Sequence, residues 1–183
     1  MYKRQSSGLF SSPEISLSQA QQAKYQRMAQ IADIQDGHQV VEIGTGWGGF
    51  AVYLAENHDV EVTTTTISDA QFNYAEALIR SRGLEHRINL LRQDYREVSG
   101  TFDRLVSVEM IEAVGHEHLP SYFQAIDRLL KADGQASIQA ITMPLHKYKV
   151  YLGSTDFIRR YVFPGSCCPS LAAILNAVAE NSR

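Results

Sequence analysis

Val40-Val41-Glu42-Ile43-Gly44-Thr45-Gly46-Trp47-Gly48-Gly49-Phe50 is a β-run that empties into a glycine-dense turn and then into a helical stretch. Gly44 and Gly46 carry no Cβ, so the backbone can take positive φ there and a ligand can approach it closely. In open α/β folds, ligands sit beyond the carboxyl ends of the strands, where the strand order reverses. The turn after the first strand is that place.

Outward from this stretch the chain alternates short apolar runs with helical segments. The strands are expected at Gln39–Ile43, Val60–Thr66, Arg87–Gln93, Arg104–Met110 and Gln135–Thr142. Helices are expected at Gly48–Asn57, Asp69–Ser81 and Leu119–Lys131, with Arg82-Gly83 and Ala132-Asp133-Gly134 as stops. Upstream, Ser16-Leu17-Ser18 opens a helix with Ser18 and Gln21 as a capping box, and Asp36-Gly37 ends it. Residues 94–103 are too short for a clear helix. Beyond Thr142, residues 143–157 read as a long loop, Ser154–Tyr161 as a short helix, and Pro169 as the first turn of a last helix. Strand–helix alternation implies a parallel sheet covered on both faces, and right-handed crossovers make it a doubly wound, Rossmann-like α/β fold. The 183 residues divide into an N-terminal segment and helix (1–38), the Rossmann-like core (39–143) and a closing region of loop and helices (144–183), all within one domain.

Apolar residues make up 44% and charged residues 20% of the chain, with a net charge of −3 and no basic stripe, so a nucleic-acid partner is not expected. The two cysteines, Cys167 and Cys168, are adjacent and lack any C-x-x-C spacing, which points to reduced thiols, not a cysteine zinc site. No apolar run reaches the roughly 20 residues of a membrane span. Gly115-His116-Glu117-His118 departs from H-E-x-x-H and has no evident third ligand, so these are expected to be loop histidines with no metal.

Gly44, Gly46 and Gly49 satisfy G-x-G-x-x-G, which suits a dinucleotide as well as S-adenosylmethionine. Two features favour S-adenosylmethionine. Glu42 precedes the first glycine by two residues, where a carboxylate can meet the cationic methionine end. The second strand ends in Thr63-Thr64-Thr65-Thr66, with none of the acid that a dinucleotide ribose needs.

The strings LSQAQQAK, VEIGTGWGGF, VTTTTISDAQ, LLRQDYRE, FDRLVSVEMIEAVG and RRYVFPGSCCPS closely resemble the cyclopropane-fatty-acid synthases and the related mycolic-acid methyltransferases. The likeness runs from about Ser6 to Ser170 and leaves Met1–Gln5 outside it. It implies a class I methyltransferase fold whose sheet is completed by a C-terminal antiparallel hairpin. Five strands are counted here against the family's seven, so the chain is expected to stop short of that hairpin and to bind and turn over poorly. The resemblance also implies cofactor roles. Residues 40–48, with Glu42, Gly44, Thr45, Gly46, Trp47 and Gly48, would line the methionine and ribose. Thr66 and Gln71 would bond the ribose side, Asp94 and Tyr95 would border the adenine, and Ser6 would keep half of an N-terminal tyrosine–serine pair.

The implied reaction is attack of a cis C=C bond of an unsaturated fatty acyl chain on the sulfonium methyl, followed by proton loss and ring closure. The family's base is a bound bicarbonate in a pocket of cysteine, glutamate, histidine, an isoleucine backbone and a tyrosine. The glutamate falls on Glu112 and the isoleucine on Ile141. Ser7 stands at the cysteine position and Gln139 at the histidine position, and both still donate hydrogen bonds without carrying charge. The tyrosine would lie past Arg183. Proton loss from a different carbon would leave a methylene- or methyl-branched chain. A small-molecule methyltransferase and a non-catalytic binding domain are the remaining alternatives. The resemblance further implies a cytoplasmic enzyme in peripheral contact with the membrane that holds its phospholipid substrate. Basic and apolar residues mixed over Ile158–Phe163 suit that surface, and a homodimer is an arrangement open to it.

Overall fold

A computed structural model describes residues 8–183. Helix α1 (Leu17–Ile31) leads into strand β1 (Gln39–Ile43), helix α2 (Gly49–Asn57), strand β2 (Glu61–Thr65), helix α3 (Asp69–Ser81) and strand β3 (Ile88–Leu91). The chain then crosses back to strand β4 (Phe102–Val108), the short helix α4 (Ile111–Val114), helix α5 (Leu119–Leu129) and strand β5 (Leu130–Gln139). Helices α6 (Leu145–Leu152) and α7 (Leu171–Asn181) follow. Among the described residues the sheet has five strands in the order β3-β2-β1-β4-β5, with every pair parallel. The order reverses between β1 and β4, which opens a crevice beyond their carboxyl ends.

Strand alternation sends consecutive side chains to opposite faces, and each face has its own core. Val40, Val62 and Val106 pack with Phe50, Leu54 and Ile79 on one side. Val41, Ile43 and Leu105 pack with Ile111, Phe123 and Leu129 on the other. These strands are near-continuous apolar runs because helices cover both faces.

Several boundaries differ from the sequence reading. The capping box belongs to Ser16 and Gln19: the Gln19 amide donates to Ser16 Oγ at 3.2 Å, and the Ser16 amide donates to Gln19 Oε1 at 2.8 Å. Gln21 is instead buried against the glycine crevice and unavailable for capping. The helix closes at Ile31, and Gly37, at φ +86°, turns the chain into β1. Ala132-Asp133-Gly134 stops nothing. Leu130 pairs with Phe102 and Gln135 with Arg104, so the intervening turn formers bulge out of β5. A Cβ at Gly134 would lie 3.0 Å from the Phe102 carbonyl oxygen, which explains the glycine.

Residues 145–152 form α6 where a loop was expected. No side chain caps this helix, so its sequence carried no start signal, and it is anchored by burial of Tyr148. The expected helix at 154–161 is a π-type turn, Ile158–Val162. Pro169 precedes the cap of α7 instead of entering its first turn; Ser170 is the cap and accepts from the Ala173 amide at 3.1 Å. Residues 95–97 form a single 3₁₀ turn capped by Asp94.

Candidate active site

The turn after β1 holds Gly44 at φ +94°, Gly46 at φ +53° and Gly48 at φ +80°. These values favour glycine because a Cβ would crowd the following carbonyl. The neighbouring glycines serve packing. A Cβ on Gly48 would sit 3.0 Å from the Ala75 Cβ of α3, and one on Gly49 would sit 2.5 Å from the Tyr25 hydroxyl of α1. Gly48 therefore faces a helix, while Gly44, Thr45, Gly46 and Trp47 line a cavity of about 460 Å³ together with Glu42 and Gln71. The Thr45 amide ties the turn to β2 by donating to the Thr65 carbonyl at 2.9 Å.

Glu42 is the crevice's buried carboxylate. Withdrawal from water pushes its pKa up to about 8, against the opposing pull of the Thr64 hydroxyl at 2.6 Å and the Lys24 charge. Thr66 Oγ1 donates to Gln71 Oε1 at 2.9 Å, so that expected pair is brought together at the head of α3. Asp94 and Tyr95 sit at the turn that follows β3. Asp94 accepts from the Arg96 side chain at 2.9 and 2.6 Å, which holds its carboxyl below the usual range. Tyr95 is buried, edge-on to Tyr122 with ring centroids 5.7 Å apart. Ser6 and Ser7 lie outside the described residues.

A second polar cluster gathers at the carboxyl ends of β4 and β5. Glu109 holds φ +51°, and its amide donates to the Gln139 carbonyl at 2.8 Å. The Gln139 side-chain amide returns a bond to Glu109 Oε1 at 2.7 Å. The Ile141 amide donates to Glu112 Oε1, while Glu112 Oε2 is buried with no hydrogen-bond partner among the described residues. Burial raises the Glu112 pKa, the Ile141 bond opposes this, and the Glu109 charge adds to it. The Cys167 amide donates to the Glu112 carbonyl at 2.7 Å, which docks the C-terminal segment onto α4.

Glu112, Gln139 and Ile141 are thus gathered at one end of the sheet, with the Gln139 side chain bonded to Glu109 and the Ile141 amide to Glu112. His116 Nδ1 lies 2.9 Å from the Tyr148 hydroxyl, so this histidine braces α6. Among the described residues, no group of three or more metal-ligating side chains forms a site.

Sequence reasoning missed the contribution of α1. Gln21, Lys24 and Tyr25 line the crevice, and Gln21 and Lys24 are buried. Their i, i+3, i+4 spacing puts all three on one helix face. Polar residues on the inward stripe of a weakly amphipathic helix were the available signal.

A parallel sheet of this order, with a positive-φ glycine turn at its reversal point, is the Rossmann-like arrangement, and the relatives that share it with this chain are methyltransferases of that class. Within it, the chain belongs to the mycolic acid cyclopropane synthetase family, whose sequence profile matches residues 3–182. The match takes in Lys3, Arg4 and Gln5, which the motif strings had left outside, and extends past Ser170. The chain is 38% identical over 166 residues to the tuberculostearic acid methyltransferase UfaA1 of Mycobacterium tuberculosis, covering 91% of this chain and 39% of that protein. It is 39% identical over 158 residues to the cyclopropane-fatty-acyl-phospholipid synthase of Escherichia coli K12, covering 86% of this chain and 39% of that protein. It therefore spans about two fifths of the length of these curated relatives. The mycolic acid cyclopropane synthase CmaA1, solved with SAH and CTAB, superposes with a TM-score of 0.84 at 26% identity over 96% of this chain and 65% of that one.

Proposed function

We propose that this chain carries the cofactor-binding core of an S-adenosylmethionine-dependent enzyme that adds a one-carbon unit to the cis double bond of an unsaturated phospholipid acyl chain, closing a cyclopropane ring. The carrying observation is the crevice itself. It is walled by a glycine turn and receives a buried carboxylate, Glu42, from β1 and a buried ammonium, Lys24, from α1. That pair matches a ligand whose methionine end bears an ammonium and a carboxylate. When bound, S-adenosylmethionine supplies an electrophilic methyl on sulfur.

The chain's own groups divide the remaining work. Gly44 and Gly46 let backbone meet the ligand, Thr66 and Gln71 present polar atoms at the head of α3, and Trp47 closes one wall against Tyr74 at 5.3 Å between ring centroids. Glu112, its second oxygen buried and unpartnered among the described residues, is the group available to hold or take a proton beside the acyl chain. Support for a membrane-surface substrate comes from Phe157, Ile158 and Tyr161, which are exposed beside Arg160. Among the described residues no helix is long and apolar enough to cross a membrane.

One observation favours a second product. With Gln139 turned onto Glu109, the position that is histidine in the cyclopropane synthases contributes no charge to the proton-accepting step. A methylene- or methyl-branched acyl chain then becomes the competing outcome. UfaA1, named for tuberculostearic acid, is a relative of nearly the same identity as the cyclopropane synthase.

Calorimetry tests the core of the proposal: heat is expected with S-adenosylmethionine and none with a nicotinamide nucleotide, and the reverse overturns it. Mass spectrometry of lipids from cells expressing the gene separates the products. Ring-bearing chains are expected, their yield rising in Gln139→His, whereas branched chains in both proteins would replace the cyclopropane assignment.

A further inference from the structure

Three buried oxygens form a line behind the glycine turn. Thr45 Oγ1 and Thr64 Oγ1 are 2.7 Å apart, and Thr64 Oγ1 is 2.6 Å from Glu42 Oε2. The three side chains are all but sealed from solvent, Thr64 completely. Their alignment follows from the sheet, because Glu42 and Thr64 are register partners across the parallel β1–β2 ladder and so project from the same face.

The direction of these bonds depends on Glu42. An ionised carboxylate only accepts, so Thr64 donates to it and receives the Thr45 proton in turn. A protonated Glu42 carries a donor on one oxygen and keeps an acceptor on the other, so it no longer requires Thr64 to donate. Only the ionised form fixes the direction of the line and turns a negative charge toward the crevice. The threonine run at the end of β2 is accordingly divided among three tasks. Thr64 bonds Glu42, Thr65 donates to the Gln93 carbonyl at 2.5 Å, and Thr66 donates to Gln71 at 2.9 Å.

We infer that Thr64, backed by Thr45, is a positioning residue that holds Glu42 as the anion pairing with the ammonium of the cofactor's methionine end. The assignment rests on the crevice taking S-adenosylmethionine. Burying a carboxylate disfavours its charged form, and a neutral donor within the sheet offsets this without adding a competing cation. The charged groups around Glu42 are accounted for. Lys24 acts on it from α1, Glu109 reaches the same crevice from beyond β4 with the opposite sign, and Arg82 and Glu56 neutralise each other at 2.8 Å farther out.

Thr64→Val keeps the β-branched shape and removes the donor, whereas Thr64→Ser keeps the donor. Two readouts apply. Carbon NMR of the side-chain carboxyl follows Glu42 titration without ligand, and calorimetry follows S-adenosylmethionine affinity from pH 6 to 9, where the ligand's own titration is common to all proteins. Thr64→Val is expected to raise the Glu42 midpoint by about one unit and to weaken binding about tenfold at pH 7, with Thr64→Ser restoring both. An unmoved midpoint, or a serine variant that behaves like the valine one, overturns the positioning role. If the midpoint moves as expected but the parent protein binds no S-adenosylmethionine, the cofactor reading falls and the link to the methionine end falls with it, leaving only the hydrogen-bonded line.

Discussion

The glycine crevice and the Glu112 cluster are built in opposite ways. The floor of the crevice, Glu42, Gly44, Thr45, Gly46, Trp47 and Gly49, comes from one short stretch bonded to the next strand of the same sheet. Its groups face an open cavity. The Glu112 cluster draws Glu109, Gln139, Ile141 and Cys167 from distant parts of the chain, and its donors and acceptors are spent largely on one another. The first region is set by local backbone geometry. The second is set by how the C-terminal segment docks, so a single substitution there redistributes several bonds at once.

Glu112→Gln sharpens this contrast most strongly. Acyl-chain modification in expressing cells is expected to fall by ~10²–10⁴-fold, the usual range for an acid–base group. S-adenosylmethionine affinity should stay within about twofold, because Glu112 does not line the crevice. Equal losses in both would show that the two regions are not separable. Gly46→Val works in the other direction. A β-branched residue at φ +53° is strained, and its side chain would extend into the open crevice. Binding should weaken about 100-fold, or ~3 kcal/mol, by calorimetry.

A third prediction concerns pH. Glu42 in the folded chain titrates near 8, above its ordinary 4.5, so the folded state binds more protons than the unfolded state between those values. Stability should therefore fall as pH rises from 4.5 to 8 and level off above, with a slope approaching ~1.4 kcal/mol per pH unit. Glu42→Gln should flatten denaturant midpoints over that window, while Glu112→Gln should leave most of the slope. The smallest expected effect belongs to Tyr122, whose buried hydroxyl approaches the Ser107 side chain without making a well-formed hydrogen bond among the described residues. Tyr122→Phe should stabilise the fold by ~1 kcal/mol in urea unfolding without changing ligand affinity.

The same contrast explains what was legible in the sequence. Gly44, Gly46 and Glu42 announced the crevice because positive φ and a preceding acid are local properties of the chain. Ser68 and Ser170 cap helices through bonds to residues three positions on, a local signal that was not read: the last helix was started at Pro169 instead. Helix α6 was hidden because its stability comes from burying Tyr148 and not from a cap. The bulge at Ala132-Asp133-Gly134 was read as a terminus because turn formers look alike in a loop and in an edge strand. Lys24 and Thr64 escaped notice for a related reason: each becomes part of the site only when a helix or a neighbouring strand is laid beside the turn. Asp94 and Tyr95 show partners that the sequence did not announce, the neighbouring Arg96 and the buried ring of Tyr122.

Gly48 and Gly49 have a consequence for how the fold can change over time. Each leaves room for a neighbour, the first for Ala75 and the second for the hydroxyl of Tyr25, on helices that reach the loop from different parts of the chain. The loop is thus clamped between two elements by missing methyl groups. Any lineage that enlarges residue 75 must displace the binding loop or the third helix in the same step, so drift at these solvent-shielded positions is tied to ligand grip even though neither residue 75 nor Gly48 lines the cavity.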